Sequence, residues 1–160
     1  MEVSFSARFY KTANDIATGN AIFGGCRQNS NRLLSEGFDL RFSQNNPDRL
    51  VFKLVTQKVN GNKTRRTATY RMSNSVGNWH YVVGTYKKTT GEQKLYVDGQ
   101  LVDTKKHPGG NNFVPLIYYS DMRTGRSKIN NVYFNGIVDD SRIYNRALSD
   151  QEVKDLYNSN

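Results

Sequence analysis

Cysteine occurs once in these 160 residues, at Cys26 after "FGG", so no internal disulfide framework holds the chain together. Histidine occurs twice, at His80 and His107, and no Cys or His pair has zinc-ligand spacing. No glycine-rich phosphate loop is present. No apolar run approaches the roughly 20 residues that a membrane-spanning helix needs. The opening "MEVSFSARFY" lacks the basic-then-apolar layout of a secretion signal. Acid is missing from one long stretch. Between Arg49 and Lys88 there are nine basic residues and no Asp or Glu, so the net charge of +9 arises in that quarter, leaving 14 basic and 14 acidic residues elsewhere. Strands from such a stretch present a basic surface if they are neighbours.

What is present points to sheet. Aromatics make up 12% of the chain, ten of them Tyr, in a background that is 36% hydrophobic; this balance suits half-buried strands in one domain. Apolar residues alternate in "VSFSARFY" (Val3, Phe5, Ala7, Phe9), "FDLRF" (Phe38, Leu40, Phe42) and "RLVFKLV" (Leu50, Phe52, Leu54). Asn60-Gly61, Asp98-Gly99 and Asn135-Gly136 read as tight hairpin turns, and "HPGGNN" as a loop. One helix is signalled, from about Asp150 to Tyr157. Ser149 and Glu152 form its capping box, and Val153, Leu156 and Tyr157 its apolar stripe. The expected fold is all-β: a two-sheet antiparallel sandwich with one short C-terminal helix, and Leu50, Phe52, Leu54, Val82, Leu95, Val97 and Ile143 in its core.

The run "WHYVVGTYKKTTGEQKLYVDGQLVDT" (Trp79 to Thr104), followed by "FNGIVDDSRIYNRALSDQEVKDLY", resembles the laminin G-like, concanavalin A-like lectin-glucanase jelly-roll domains of bacterial and viral surface proteins and polysaccharide-degrading enzymes. The resemblance implies that residues 1–160 form one jelly-roll domain, in which the hairpin and the strand-helix ending are framework and function sits on loops and the curved sheet face. It also implies a further upstream family strand that this chain begins too late to include. Relatives of this fold often hold a structural calcium at the first Asp of a "DxxRIY"-like strand, which here is Asp139; a hard cation wants a carboxylate joined by backbone carbonyls.

Catalysis finds little support in the residues. The glycosidase relatives need two carboxylates on one strand face, and their Glu-x-Asp-x-x-Glu spacing does not occur. Glu36 and Asp39 are expected to flank a turn, Asp98 and Asp103 to bracket a hairpin arm, and Asp150, Glu152 and Asp155 to belong to the helix. His80, in a framework strand, reads as structural, and Cys26 lacks the helix or neighbouring His that favours a thiolate. The expectation is a non-catalytic carbohydrate-binding module. Tyr118, Tyr119, Arg123 and Arg126 in "YYSDMRTGRSK" combine aromatic faces for pyranose rings with donors for hydroxyls. In "TRRTATYRM", alternation puts Arg65, Thr67, Thr69 and Arg71 in one solvent-facing row, suited to an anionic polysaccharide. Nucleic acid is disfavoured, because no RNP-type aromatic motif or recognition helix accompanies the basicity. The alternative is a structural or adhesion module of a virion or cell-surface assembly that binds protein. Either reading implies an extracellular, cell-surface or virion-associated setting.

Overall fold

The computed structural model describes residues 2–14, 21–28, 35–43, 45–59, 61–110, 112–117, 122–126 and 133–159. Asn60, Tyr118, Tyr119 and the side chain of Cys26 lie outside the described residues. In chain order the strands are β1 (Val3–Lys11), β2 (Ala21–Gln28), β3 (Ser35–Ser43), β4 (Asn46–Lys58), β5 (Lys63–Arg71), β6 (Trp79–Lys87), β7 (Glu92–Val97), β8 (Gln100–Lys106), β9 (Phe113–Pro115), β10 (Met122–Thr124) and β11 (Gly136–Tyr144), followed by the helix α1 (Asp150–Asn158). Two antiparallel sheets form. Sheet 1 has the order β11-β1-β6-β7-β8, and sheet 2 the order β10-β2-β3-β4-β5, with β9 beside β4.

Alternation decides which face of each sheet is buried, because successive side chains of a strand point to opposite sides. Val3, Phe5, Ala7 and Phe9 of β1 turn inward and meet Phe38, Leu40, Phe42, Leu50, Phe52 and Leu54 of β3 and β4 in one core. Phe5 stacks on Phe38 with ring centroids 3.6 Å apart. Gly84 of β6 lies opposite Phe52, and a Cβ there would sit 2.8 Å from the ring, so the sheets approach each other too closely for any side chain. This is the expected jelly-roll sandwich.

Three local expectations are corrected. Ile143 pairs with Phe5, yet β11 is the edge strand of sheet 1, and Ile143 keeps 37% of its surface exposed there. Glu36 and Asp39 do not flank a turn, because β3 runs unbroken from Ser35 to Ser43. Asn135-Gly136 makes no hairpin. Gly136, at φ 155°, opens β11 where a side chain would collide with the Tyr10 carbonyl. Asp98-Gly99 is a hairpin turn as expected, with φ of 49° and 76° joining β7 to β8.

The helix begins where the sequence signals it. Ser149 accepts from the Glu152 amide while the Glu152 side chain accepts from the Ser149 amide. Lys94 and the Tyr96 hydroxyl both donate to Asp150 Oδ1, at 2.9 and 2.7 Å, fixing the first turn to β7. Val153 and Leu156 pack with Tyr81, Val83, Tyr96 and Leu148 in a second, smaller core on the outer face of sheet 1. The helix thus covers part of that face, whereas the outer face of sheet 2 carries no helix among the described residues.

Candidate ligand-binding face

The outer face of sheet 2 is built by the residues that alternate with the core. Register aligns Arg123 of β10 with Gly24 of β2, Gly24 with Asp39 of β3, Asp39 with Lys53 of β4, and Lys53 with Thr67 of β5. The adjacent row is Arg41, Val51 and Thr69; Arg49 pairs with Arg71, and Val55 with Arg65. Among the described residues, Lys63, Arg65, Arg71, Arg49, Lys53, Arg41 and Arg123 therefore share this face with one carboxylate, Asp39. Four strand spacings of about 4.8 Å separate β10 from β5, and about 3.3 Å per residue separates Arg65 from Arg71. The face measures roughly 20 Å each way.

At its centre is an ion cluster. Asp39 Oδ2 lies 3.0 Å from Arg41 Nε and 4.0 Å from Lys53 Nζ. Asp39 and Lys53 are only 5% and 6% exposed, although both point away from the core. Burial pushes the Asp39 carboxyl pKa up, against the pull of Lys53 and Arg41. Gly24 makes room for the cluster, since a Cβ there would stand 3.1 Å from Asp39 Oδ1.

The β5 row is anchored from the other sheet. The Thr69 amide donates to Asp103 Oδ2 of β8 at 2.8 Å, and Arg66 Nε donates to the Lys106 carbonyl at 3.0 Å. Lys105 Nζ, 3.0 Å from Asp103 Oδ1, steadies that carboxylate. This seam occupies edge groups that would otherwise be open to another strand, and it fixes the row holding Arg65, Thr67, Thr69 and Arg71.

The sequence-derived site residues thus separate into groups. Arg65, Thr67, Thr69 and Arg71 share the β5 edge of the face, and Arg123 stands at its β10 edge. Arg126 turns elsewhere, its guanidinium 5.2 Å from the Tyr133 ring centroid. Tyr118 and Tyr119 are outside the described residues. Asp139 belongs to the other sheet, opposite Arg8, with Oδ1 accepting from the Asp140 amide at 2.8 Å. Among the described residues, no three His, Cys, Asp or Glu side chains gather as a metal cluster. Asp139 supplies one carboxylate where calcium takes six to eight oxygens, so any others would be backbone carbonyls and water.

Arg41 and Lys53 are not among the sequence-derived site residues, and Asp39 is expected there only to flank a turn. Their signal is the polar half of the same alternation that marked Phe38, Leu40, Phe52 and Leu54. Three further carboxylates of the described residues are engaged: Asp98 with His80 and the Tyr81 amide, Asp140 with Arg142, and Glu152 with Arg146.

Comparison with known proteins locates this architecture. No curated protein matches. Among solved structures, a proposed carbohydrate binding protein from Bacteroides ovatus superposes with a TM-score of 0.66 at 19% identity, over 96% of this chain and 40% of that one. The SAP-like pentraxin of Limulus polyphemus gives 0.61 at 15% identity, over 98% and 69%. The binding domain of botulinum neurotoxin DC, in complex with SialylT, gives 0.58 at 21% identity, over 99% and 35%. The chain spans little more than a third of the botulinum neurotoxin binding domains that it matches. At such identities these likenesses show the fold alone. The family model for laminin G-like domains matches residues 2–154, every strand of the described sandwich and the first half of the helix, and the chain belongs to the concanavalin A-like lectin/glucanases superfamily.

Proposed function

We propose that the outer face of sheet 2 binds an acidic polysaccharide and that the domain is a non-catalytic carbohydrate-binding module of an extracellular or surface protein. The observation that carries this reading is the arrangement of cations around this face: Arg65 and Arg71 at one edge and Arg123 at the other, about a centre in which Asp39 and Lys53 are buried and Arg41 is partly exposed. Guanidinium forks match carboxylates and sulfates, and the Thr67 and Thr69 hydroxyls between them suit sugar hydroxyls. Two of the structural neighbours support a glycan ligand, one described as carbohydrate binding and the other as in complex with SialylT.

Each exposed contact is worth on the order of a kcal/mol or less, so affinity is modest and falls with salt. Uronic or sulfated glycans should bind more tightly than neutral ones. The test compares wild type with Arg65→Ala/Arg71→Ala on an acidic-glycan array at low and moderate salt. Loss of signal in the double variant, and its decline with salt in wild type, are expected. Equal binding by both proteins, or by neither, would favour the alternative of an adhesion or decoration module that binds protein on a virion or cell surface.

A further inference from the structure

The opposite side of the sandwich exposes a different combination of groups. Trp79, the single tryptophan of the chain, stands at the start of β6 and keeps 42% of its surface exposed. Its parity is that of Tyr81 and Val83, so it projects from the outer face of sheet 1 beyond the part that α1 covers. Tyr10 of β1 lies directly across from it, with ring centroids 5.7 Å apart and planes at 53°. The Arg8 guanidinium sits 4.9 Å from the indole centroid, and among the described residues no carboxylate pairs with it. Tyr157 of α1, 41% exposed, completes a cleft of about 190 Å³ lined by Arg8, Trp79, His80, Tyr81 and Tyr157.

The wall of this cleft is rigid. His80 is bonded on both sides, Nδ1 to Asp98 Oδ2 at 2.8 Å and Nε2 to the Asn74 carbonyl at 3.1 Å. Asp98 Oδ1 also accepts from the Tyr81 amide at 2.9 Å. Arg8 and Tyr10 hold the indole from the side of β1, so its orientation is set before any ligand arrives. A fixed, half-exposed indole offers an electron-rich face to the CH face of a sugar ring, and the guanidinium over it, which pairs with no carboxylate among the described residues, offers a fork to an acid.

We infer that this cleft is a second glycan subsite, which takes a pyranoside bearing a carboxylate, with the sugar ring against Trp79 and the acid on Arg8. It is independent of the sheet 2 face, from which the whole thickness of the sandwich separates it. Charge complementarity favours the acidic sugar over a protein segment: among the described residues the cleft lining brings the Arg8 cation and no carboxylate, with Asp139 across the β1–β11 pair from Arg8.

The lone tryptophan makes the test direct. Hexagalacturonate is titrated while Trp79 emission and its quenching by neutral acrylamide are followed. A saturable blue shift with reduced quenching is expected. The response should persist in Arg65→Ala/Arg71→Ala, and weaken about tenfold or more in Arg8→Ala and with the methyl-esterified hexamer. Tyr157→Ala, which leaves both Trp79 and Arg8 in place, should weaken it as well; thermal melts check that each variant is folded. An unchanged Trp79 spectrum at saturating hexamer, or equal responses to acid and ester, overturns the inference. Loss of the response in Arg65→Ala/Arg71→Ala overturns it too, because the signal would then originate on sheet 2. A fluorescence response without binding at the sheet 2 arginines would leave this subsite standing and remove the other.

Discussion

His107 is almost fully buried between β4 and β7, with Nδ1 3.0 Å from Thr56 Oγ1 and Nε2 2.6 Å from Gln93 Oε1. Gln93 Nε2 donates to the Phe52 carbonyl, so Gln93 Oε1 is left to accept, and the neutral ring carries its proton on Nε2. Burial, reinforced by Arg66, pushes the His107 pKa down to about 4. The unfolded chain, with a histidine pKa near 6.5, takes up this proton first as pH falls. The contribution of the neutral ring is complete above pH 6.5, and about 3 kcal/mol is lost by pH 4. His80 works in the opposite sense. Both its nitrogens face acceptors, and its bond to Asp98 raises its pKa, so its contribution is complete below 6.5 and is lost as pH rises through the raised value. Urea midpoints measured from pH 8 to 4 should drop steeply below 6.5 in wild type and without that drop in His107→Gln; parallel curves would refute the assignment. Asp139 carries a separate expectation. With Oδ1 held by the Asp140 amide, Oδ2 is the oxygen left for calcium. Calcium should raise the melting temperature by a few degrees and Asp139→Ala should abolish the rise, whereas a melting curve that chelator and calcium leave unchanged counts against the site.

At the level of elements, the β5–β8 seam controls the candidate face. Asp103→Ala removes the acceptor of the Thr69 amide, which should destabilise the domain by about 1–2 kcal/mol. It also removes a negative charge, so a purely electrostatic face would bind acidic glycan more tightly, whereas a face that depends on the seam for its geometry binds more weakly. We expect weaker binding, recovered in Asp103→Asn, as read by the glycan array and by denaturant melts. The strands of the sandwich are legible in unequal degree. β1, β3 and β4 announce themselves because every second residue is apolar, and that alternation alone assigns their inner faces. Asp39, Arg41 and Lys53 are on the page in the same strands, but their meeting depends on the β3–β4 register, which no single strand encodes. Ile143 shows the converse: its strand pattern is sound, and only the position of β11 at the sheet edge leaves it exposed. Trp79 opens the run that carries the family resemblance, and its parity with Tyr81 and Val83 is what turns it to the outside.

In the molecule as a whole, the first and last strands of the described sandwich are neighbours: Ser4 of β1 pairs with Tyr144 of β11. The start of β1 and the end of β11 consequently lie at the same end of sheet 1. The two are clamped there by one side chain, since Ser4 Oγ donates to the Arg146 carbonyl and accepts from the Leu148 amide, each at 2.9 Å. Two antiparallel strands pulled apart from one shared end separate like a zipper, each rung meeting the load in turn, whereas strands dragged past each other must break many rungs at once. Tension applied at the two ends of this domain would therefore load the Ser4 clamp from the β1 side and the docking of α1 from the other, and once both yield, the β1–β11 ladder opens rung by rung. A ligand held on sheet 2 would pull on strands that do not include β1 or β11. Tension along the backbone and tension arriving through a bound polysaccharide would thus enter the sandwich by different paths.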